Sequence, residues 1–362
     1  MKVGITFGGY CPMHQGHLDL IMRAKKENDI CYVIVCGYDE EPRAKETGLT
    51  LNRRYTLIKQ MFKNDEQIRV IQVNDTKLGI DESMSNSNWD IWLNYVQTQI
   101  FLDLDNCNFT WYVGELEYVL ALRNRLNYSR IIDDVIFINR IKHPISATMI
   151  RENPIKYWNQ IAYPFRQYFS VNILITGTAS EGKSTLVKDI STYFGIPYSP
   201  EYGRFYMENS GKSDTDLNVK NFINFLIQQC YHTQREIKHF NNPGIVISDT
   251  DSLVTLMYAK AYIDDEDIDI TKEDYEKLEK LALDIKKRIT WDKIFLLPPK
   301  NTFVDDGCRY MKQSSIEERL KNYNILVDLL KQFGWWDKVE IIDGNFYENF
   351  NSVKHYIKSK LK

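Results

Sequence analysis

Two stretches of this chain combine residue types and spacings suited to phosphate chemistry. Val171 to Thr185 reads VNILITGTASEGKST, so that Gly177 is followed after four residues by Gly182, Lys183 and Ser184. An apolar, β-branched run precedes this G-x-x-x-x-G-K-[ST] pattern, and Thr185-Leu186-Val187 can open a helix after it, which is the context the pattern requires. The loop from Gly177 through Thr178, Ala179, Ser180, Glu181 and Gly182 then wraps a polyphosphate with its N–H groups, and the helix N-terminus adds positive potential. Lys183 is expected to reach the β- and γ-phosphates and the Ser184 hydroxyl to ligand Mg²⁺, so this half of the chain is expected to bind ATP. The second stretch, Gly8 to His17, reads GGYCPMHQGH and follows the apolar run KVGITF. His14 and His17 would flank the start of the next helix, where two imidazoles beside free N–H groups suit phosphate oxygens, and Gly16 lets the backbone come close. Zinc is a poorer use of this pair, because no third ligand stands nearby in the sequence.

These residues need elements to hold them. Short apolar runs predict strands over 2–7, 30–36, 68–73, 109–113 and 135–138, then over 171–176, 244–248, 293–297 and 336–342, with helical patterns between many of them. Strands alternating with helices imply an α/β fold of two doubly wound parallel sheets, with ligands beyond the carboxyl ends of the strands. A length of 362 residues suits two cores, divided here at 1–168 and 169–362. The join, 152–170, is rich in Tyr, Trp and Phe and is expected to pack between the domains rather than to act as a flexible linker. A helix opening at Thr271 with capping-box character has Tyr275, Leu278, Ala282 and Ile285 on one face and reads as structural.

Further residues fall at predicted strand ends. Asp249 and Asp251 follow the run GIVIS; Asp249 suits Mg²⁺ coordination and Asp251 the acceptor hydroxyl, although helix capping is the competing use of both. Glu201, with Tyr202 and Arg204 nearby, follows another short apolar stretch and suits orienting or deprotonating a hydroxyl. Trp89 and Trp92, three apart, are either core packing or an indole platform for a cationic ring.

Composition narrows the classes. A net charge of −3 with 26% charged residues offers no electrostatic case for nucleic acid or an anionic membrane as partner. The six cysteines, at 11, 31, 36, 107, 230 and 308, contain no C-x-x-C pair and are expected to be reduced thiols. No signal peptide or long apolar run is evident, so a cytoplasmic protein without direct membrane insertion is expected.

At this point the residues resemble a known family. GGYCPMHQGH is similar to the G-x-[FY]-x-P-x-H-x-G-H motif of nucleotidyltransferases, and Ile145 to Arg151 (ISATMIR) to their second motif, I-S-x-T-x-x-R. The resemblance implies a Rossmann-like transferase domain binding ATP through Gly8, Gly9, Tyr10, His14, His17, Gly114, Ser146, Thr148 and Arg151. In that reading His17 stabilises charge on the α-phosphate. Resemblance to nicotinamide mononucleotide adenylyltransferases implies a tryptophan stacked on the pyridinium ring, Trp89 before Trp92, with Arg53 or Arg54 near the acceptor. Val304 to Arg309 (VDDGCR) resembles the D-D-G-x-R lid segment of small-molecule kinases, which implies that Arg309 neutralises the transferring phosphoryl group and Arg319 assists.

The join running into the P-loop resembles NadR-type bifunctional proteins, and that resemblance covers the whole chain. It implies a ribosylnicotinamide kinase whose product, nicotinamide mononucleotide, the transferase adenylylates to NAD, with functional coupling to a riboside transporter; unlike some members of that family, this sequence is expected to lack an N-terminal DNA-binding domain. A homo-oligomer is left open. The competing readings are a phosphopantetheine adenylyltransferase fused to dephospho-coenzyme A kinase, and an NAD-sensing regulator.

Overall fold

The apolar runs become the strands of two parallel sheets in the computed structural model. The structure describes residues 1–361 except 81–85, 127, 140–144, 264, 305–310 and 312–313, and the side chains of 86 and 87 are likewise outside the description.

The first unit, Met1–Phe169, contains β1 (Lys2–Gly8), β2 (Ile30–Gly37), β3 (Ile68–Asn74), β4 (Asn108–Val113) and β5 (Asp134–Phe137). Their order is β3-β2-β1-β4-β5 and every pairing is parallel. Side chains alternate across β2: Val33 and Val35 join one core with Leu20, Ile21 and Ile58, while Tyr32 and Ile34 join another with Val3, Ile5 and Trp111. Strand order reverses beside β1, which is where such sheets leave a crevice for ligands.

The aromatic segment 152–170 contributes to the first unit's core. Trp158, Ile161, Ala162, Phe165 and Phe169 are buried in the first unit's own core with Tyr10, Met13 and Leu20. The Ala162 N–H donates to the Met13 carbonyl at 3.0 Å, so this segment supports the motif loop from beneath. Burying so many large apolar side chains is what fixes it there.

The second unit, Ser170–Lys362, contains β6 (Val171–Gly177), β7 (Tyr198–Ser199), β8 (Ile245–Asp249), β9 (Lys293–Leu297) and β10 (Val339–Ile341), in the order β10-β9-β6-β8-β7. The two-residue β7 is too short to leave a periodic signal. The strand expected over 336–342 is shorter than predicted, because Trp336–Lys338 forms a 3-10 turn. The last helix begins at Phe346, where the Asn345 side chain accepts the N–H groups of Tyr347 and Glu348. Helix Lys272–Lys286 forms with Thr271 as its cap and buries Tyr275, Leu278, Ala282 and Ile285. Among the described residues no helix is long and apolar enough to cross a membrane.

Candidate active sites

At the carboxyl end of β1 the chain turns through Gly8, Gly9 and Tyr10, with Tyr10 in the left-handed region at φ 47°. The glycines allow close approach: a Cβ on Gly9 would lie 2.8 Å from Arg43 Nη2, and one on Gly16 would lie 3.3 Å from the His14 ring. His14 is completely buried at the start of helix Gln15–Glu27. Its backbone N–H donates to His17 Nδ1 at 3.3 Å, and the two imidazoles stack with centroids 3.7 Å apart. The second motif closes on this loop. Arg151 donates from Nη1 to the Cys11 carbonyl at 2.7 Å and from Nη2 to Thr148 Oγ1 at 3.0 Å. Ser146 caps helix Ala147–Glu152 by accepting the Met149 N–H. Gly114 directly follows β4, the neighbour of β1 at the reversal of strand order. Tertiary folding thus gathers both motifs at one helix N-terminus.

Beside the loop lies an open cavity of about 480 Å³, lined by Gly8, Gly9, Arg43, Asp75, Trp92 and Tyr118 among others. Its charged wall is built from residues that the motifs do not reveal. Glu41 is completely buried and accepts from Arg54 Nη2 at 2.7 Å, Arg43 Nη2 at 3.1 Å and the Tyr38 N–H at 3.3 Å. Asp75 follows β3, and its Oδ1 is buried without a hydrogen-bond partner among the described residues. Burial, reinforced by the Glu41 charge, pushes the Asp75 carboxyl up to about 7. The one sequence signal for Asp75 is its place at a strand's carboxyl end.

The tryptophans and arginines sort themselves by packing. Trp92 lines the cavity, whereas Trp89 is set back, buried edge-on against Phe7, Trp92 and Tyr118. Arg53, one of the two arginines expected near the acceptor, donates to the Gly48 carbonyl at 3.0 Å and lies over the Tyr168 ring. Arg54 is the one that turns inward, bonding Glu41 and the Gly9 carbonyl.

In the second unit β6 ends at Gly177, and the loop leads to helix Lys183–Phe194. Gly182 has φ 81°, and a Cβ there would come within 2.7 Å of the Phe346 ring, so both conformation and space demand glycine. Lys183 Nζ donates to the Thr178 carbonyl at 2.6 Å. Glu181 is buried. Its Oε1 accepts from Arg319 Nη1 at 2.7 Å and its Oε2 from the N–H groups of Lys300 and Asn301, both at 3.2 Å. Arg319, the residue expected to assist at the phosphoryl group, is buried in that pair and also donates to the Asn301 carbonyl, which braces the loop. Ser180 Oγ accepts the Val304 N–H at 3.0 Å. Arg309 lies outside the described residues.

Two cavities meet at this loop. One, of about 430 Å³, is lined by Ser180 to Thr185 with Glu201, Arg204, Val304 and Phe346. The other is more enclosed; Phe222, Phe225, Tyr258 and Tyr262 supply its aromatic wall, and Glu201, Glu208 and Asp214 its carboxylates. Lys183, Glu201 and Arg204 line both. Tyr258 and Tyr262 stack at 5.9 Å, and the Tyr262 hydroxyl donates to Asp214 at 3.2 Å. Tyr202 stays outside the lining, with its ring against Phe225 and its N–H donating to Gln229.

Asp249 ends β8 beside Ser184. Burial and the nearby Glu201 charge raise its carboxyl pKa, against the Lys183 charge and a Ser184 hydrogen bond. Its Oδ1 is buried without a hydrogen-bond partner among the described residues. Asp251 is placed differently from expectation. It caps helix Ser252–Ala261 by accepting the Leu253 N–H at 3.0 Å, accepts Trp291 Nε1 at 3.3 Å, and does not line the acceptor-side cavity. Capping satisfies its carboxylate.

Residues 5–153 match the cytidylyltransferase-like family model, and residues 172–348 match the AAA domain model. The trifunctional NAD biosynthesis/regulator protein NadR of Salmonella typhimurium strain LT2 is 27% identical over 340 residues, spanning 91% of this chain and 77% of that protein. The Escherichia coli K12 protein of the same name is 26% identical over 338 residues, spanning 91% and 76%. A crystal structure of a NadR protein in complex with NR superposes with TM-score 0.85 at 31% identity, covering 99% of this chain and 96% of the other. A NadR structure with NAD and AMP-PNP gives TM-score 0.84 at 30% identity, with the same coverage. Fold and sites together define a nucleotidyltransferase unit of the cytidylyltransferase-like class followed by a P-loop kinase unit. The chain belongs to the NadR family.

Proposed function

We propose that this chain makes NAD from nicotinamide riboside in two ATP-dependent steps. In the kinase unit, the γ-phosphoryl group of ATP passes to the riboside 5′-hydroxyl, giving nicotinamide mononucleotide and ADP. In the transferase unit, a phosphate oxygen of the mononucleotide attacks the α-phosphorus of a second ATP, giving NAD and pyrophosphate. The observation that carries this reading is the meeting of two unlike cavities at Lys183, Glu201 and Arg204. One is the P-loop cavity; the other, aromatic and acidic, suits a cationic pyridinium ring. An anionic acceptor such as dephospho-coenzyme A would face Glu201, Glu208 and Asp214 as like charges.

The residues divide the kinase chemistry between them. Loop N–H groups and Lys183 hold the β- and γ-phosphates, and Arg204 sits at the junction of the cavities. Glu201, at that junction, orients the hydroxyl and takes its proton as the bond to phosphorus forms. Ser184 and Asp249 fit Mg²⁺, because an unpartnered, buried carboxylate oxygen beside a hydroxyl lacks only a cation. The bound ion would supply positive charge to the β- and γ-oxygens.

Adenylyl transfer needs positioning and positive donors rather than an enzymic nucleophile. His14 and His17 would bind the ATP phosphates, with His17 on the α-phosphate, while Ser146, Thr148 and Arg151 hold the departing pyrophosphate. Trp92 is the better placed of the two indoles to pack on the nicotinamide ring. Phosphorylation traps the riboside as an anion, so the link to uptake is functional coupling to a transporter.

Mass spectrometry of the chain incubated with ATP, Mg²⁺ and nicotinamide riboside tests the whole reading. Mononucleotide followed by NAD is the expected result. Failure to form either product, with coenzyme A made from phosphopantetheine instead, would reassign both acceptors.

A further inference from the structure

Polar groups around the transferase cavity are mostly committed to one another. Glu41 takes hydrogen bonds from two arginines and a backbone N–H, and Arg43 and Arg54 are occupied by that carboxylate. Asp75 is the exception. It lines the cavity, yet its Oδ1 is buried without a hydrogen-bond partner among the described residues. A buried carboxylate oxygen with no donor is unfavourable until something supplies one.

Its position indicates which part of a ligand could do so. The Asp75 N–H donates to the Gly37 carbonyl at 2.9 Å, so the residue sits where β3 and β2 end together. β3 lies two strands from β1, whose end carries the histidine motif. At a strand spacing of about 4.8 Å this is an offset of about 10 Å, close to the reach from a 5′-phosphate to the ring substituent of a pyridine mononucleotide. Ribose hydroxyls lie nearer the phosphate and fall short. The ring itself would lie against Trp92, Phe7 and Tyr118, which line the same cavity.

We propose that Asp75 selects a carboxamide over a carboxylate on the pyridine ring of the acceptor mononucleotide. The amide N–H donates to Oδ1 and satisfies it. With Asp75 ionised, a nicotinic acid ring offers no donor there and brings a second negative charge, while the nearby arginines remain held by Glu41. This inference rests on the adenylyl-transfer reading above.

Steady-state adenylylation by the full chain at pH 8, where Asp75 is mostly ionised, tests it with ATP and Mg²⁺, using nicotinamide mononucleotide and nicotinic acid mononucleotide in parallel. Wild type is expected to favour the amide. In Asp75→Asn, whose Nδ2 can donate to a carboxylate, the amide-to-acid ratio of kcat/KM should fall by about tenfold or more, chiefly through KM. Asp75→Ser, which keeps a donor and removes the charge, should also lower the ratio. Equal kcat/KM for the two mononucleotides in wild type would overturn the proposal without recourse to any variant, as would an unchanged ratio in an active Asp75→Asn. A wild-type chain that adenylylates neither mononucleotide removes the underlying reading, and this inference with it.

Discussion

Asp75, Asp249 and Asp251 are all pushed above the usual carboxylate range by burial, yet the three have different surroundings. Asp251, pushed up to about 7, is satisfied by a backbone N–H and an indole N–H, which makes it structural. Asp249 and Asp75 each keep a buried oxygen without a partner among the described residues, and each faces a cavity or the phosphate loop. In the fold the Asp75 carboxyl titrates at about 7, above its ordinary value of 3.8. Its ionisation inside the fold therefore costs nothing below about pH 4, and the penalty grows as pH rises towards 7. Ligand-free Asp75→Asn should accordingly melt a few degrees above wild type at pH 8 and level with it at pH 4, followed by circular dichroism. A difference independent of pH would argue against a charged, buried Asp75.

Elements explain why the phosphate loop holds its shape. It is pinned from outside by Glu181, which gathers Arg319 from helix Ile316–Gln332 and the N–H groups that follow β9. Removing one partner of a buried ion pair leaves the other charge uncompensated, so Arg319→Ala should destabilise the kinase unit by about 3–5 kcal/mol. Urea denaturation reporting on that unit would read this as a lower midpoint. If Arg319 served the phosphoryl group instead, the variant would lose kcat while keeping its stability. The transferase unit has an analogous brace, in which Arg151 ties the second motif to the Cys11 carbonyl of the first.

On the scale of the whole molecule, each unit has its own sheet and its own core. Each reaction should therefore fail separately. Lys183→Ala is expected to abolish phosphorylation of nicotinamide riboside while adenylylation of added mononucleotide persists, and His17→Ala is expected to do the reverse. Assaying both variants with both substrates checks this. Loss of both activities from either single change would contradict two independent sites.

The sequence by itself determined whatever depends on local spacing. The P-loop, the paired histidines with their glycines and the alternation of strands with helices all follow from backbone geometry over short windows, as does the capped helix opening at Thr271. Tertiary structure alone decided which polar groups meet. Asp249 and Asp251 are two residues apart and chemically identical, but only one faces the phosphate loop while the other caps a helix. Arg53 and Arg54 are adjacent, and the helix turns only the second towards Glu41. Glu41 and Asp75 carry no motif at all, and become neighbours because β2 and β3 end side by side. The physical reason is the same in each case: a side chain's partner is set by burial and direction between elements distant in sequence, which a local pattern does not encode.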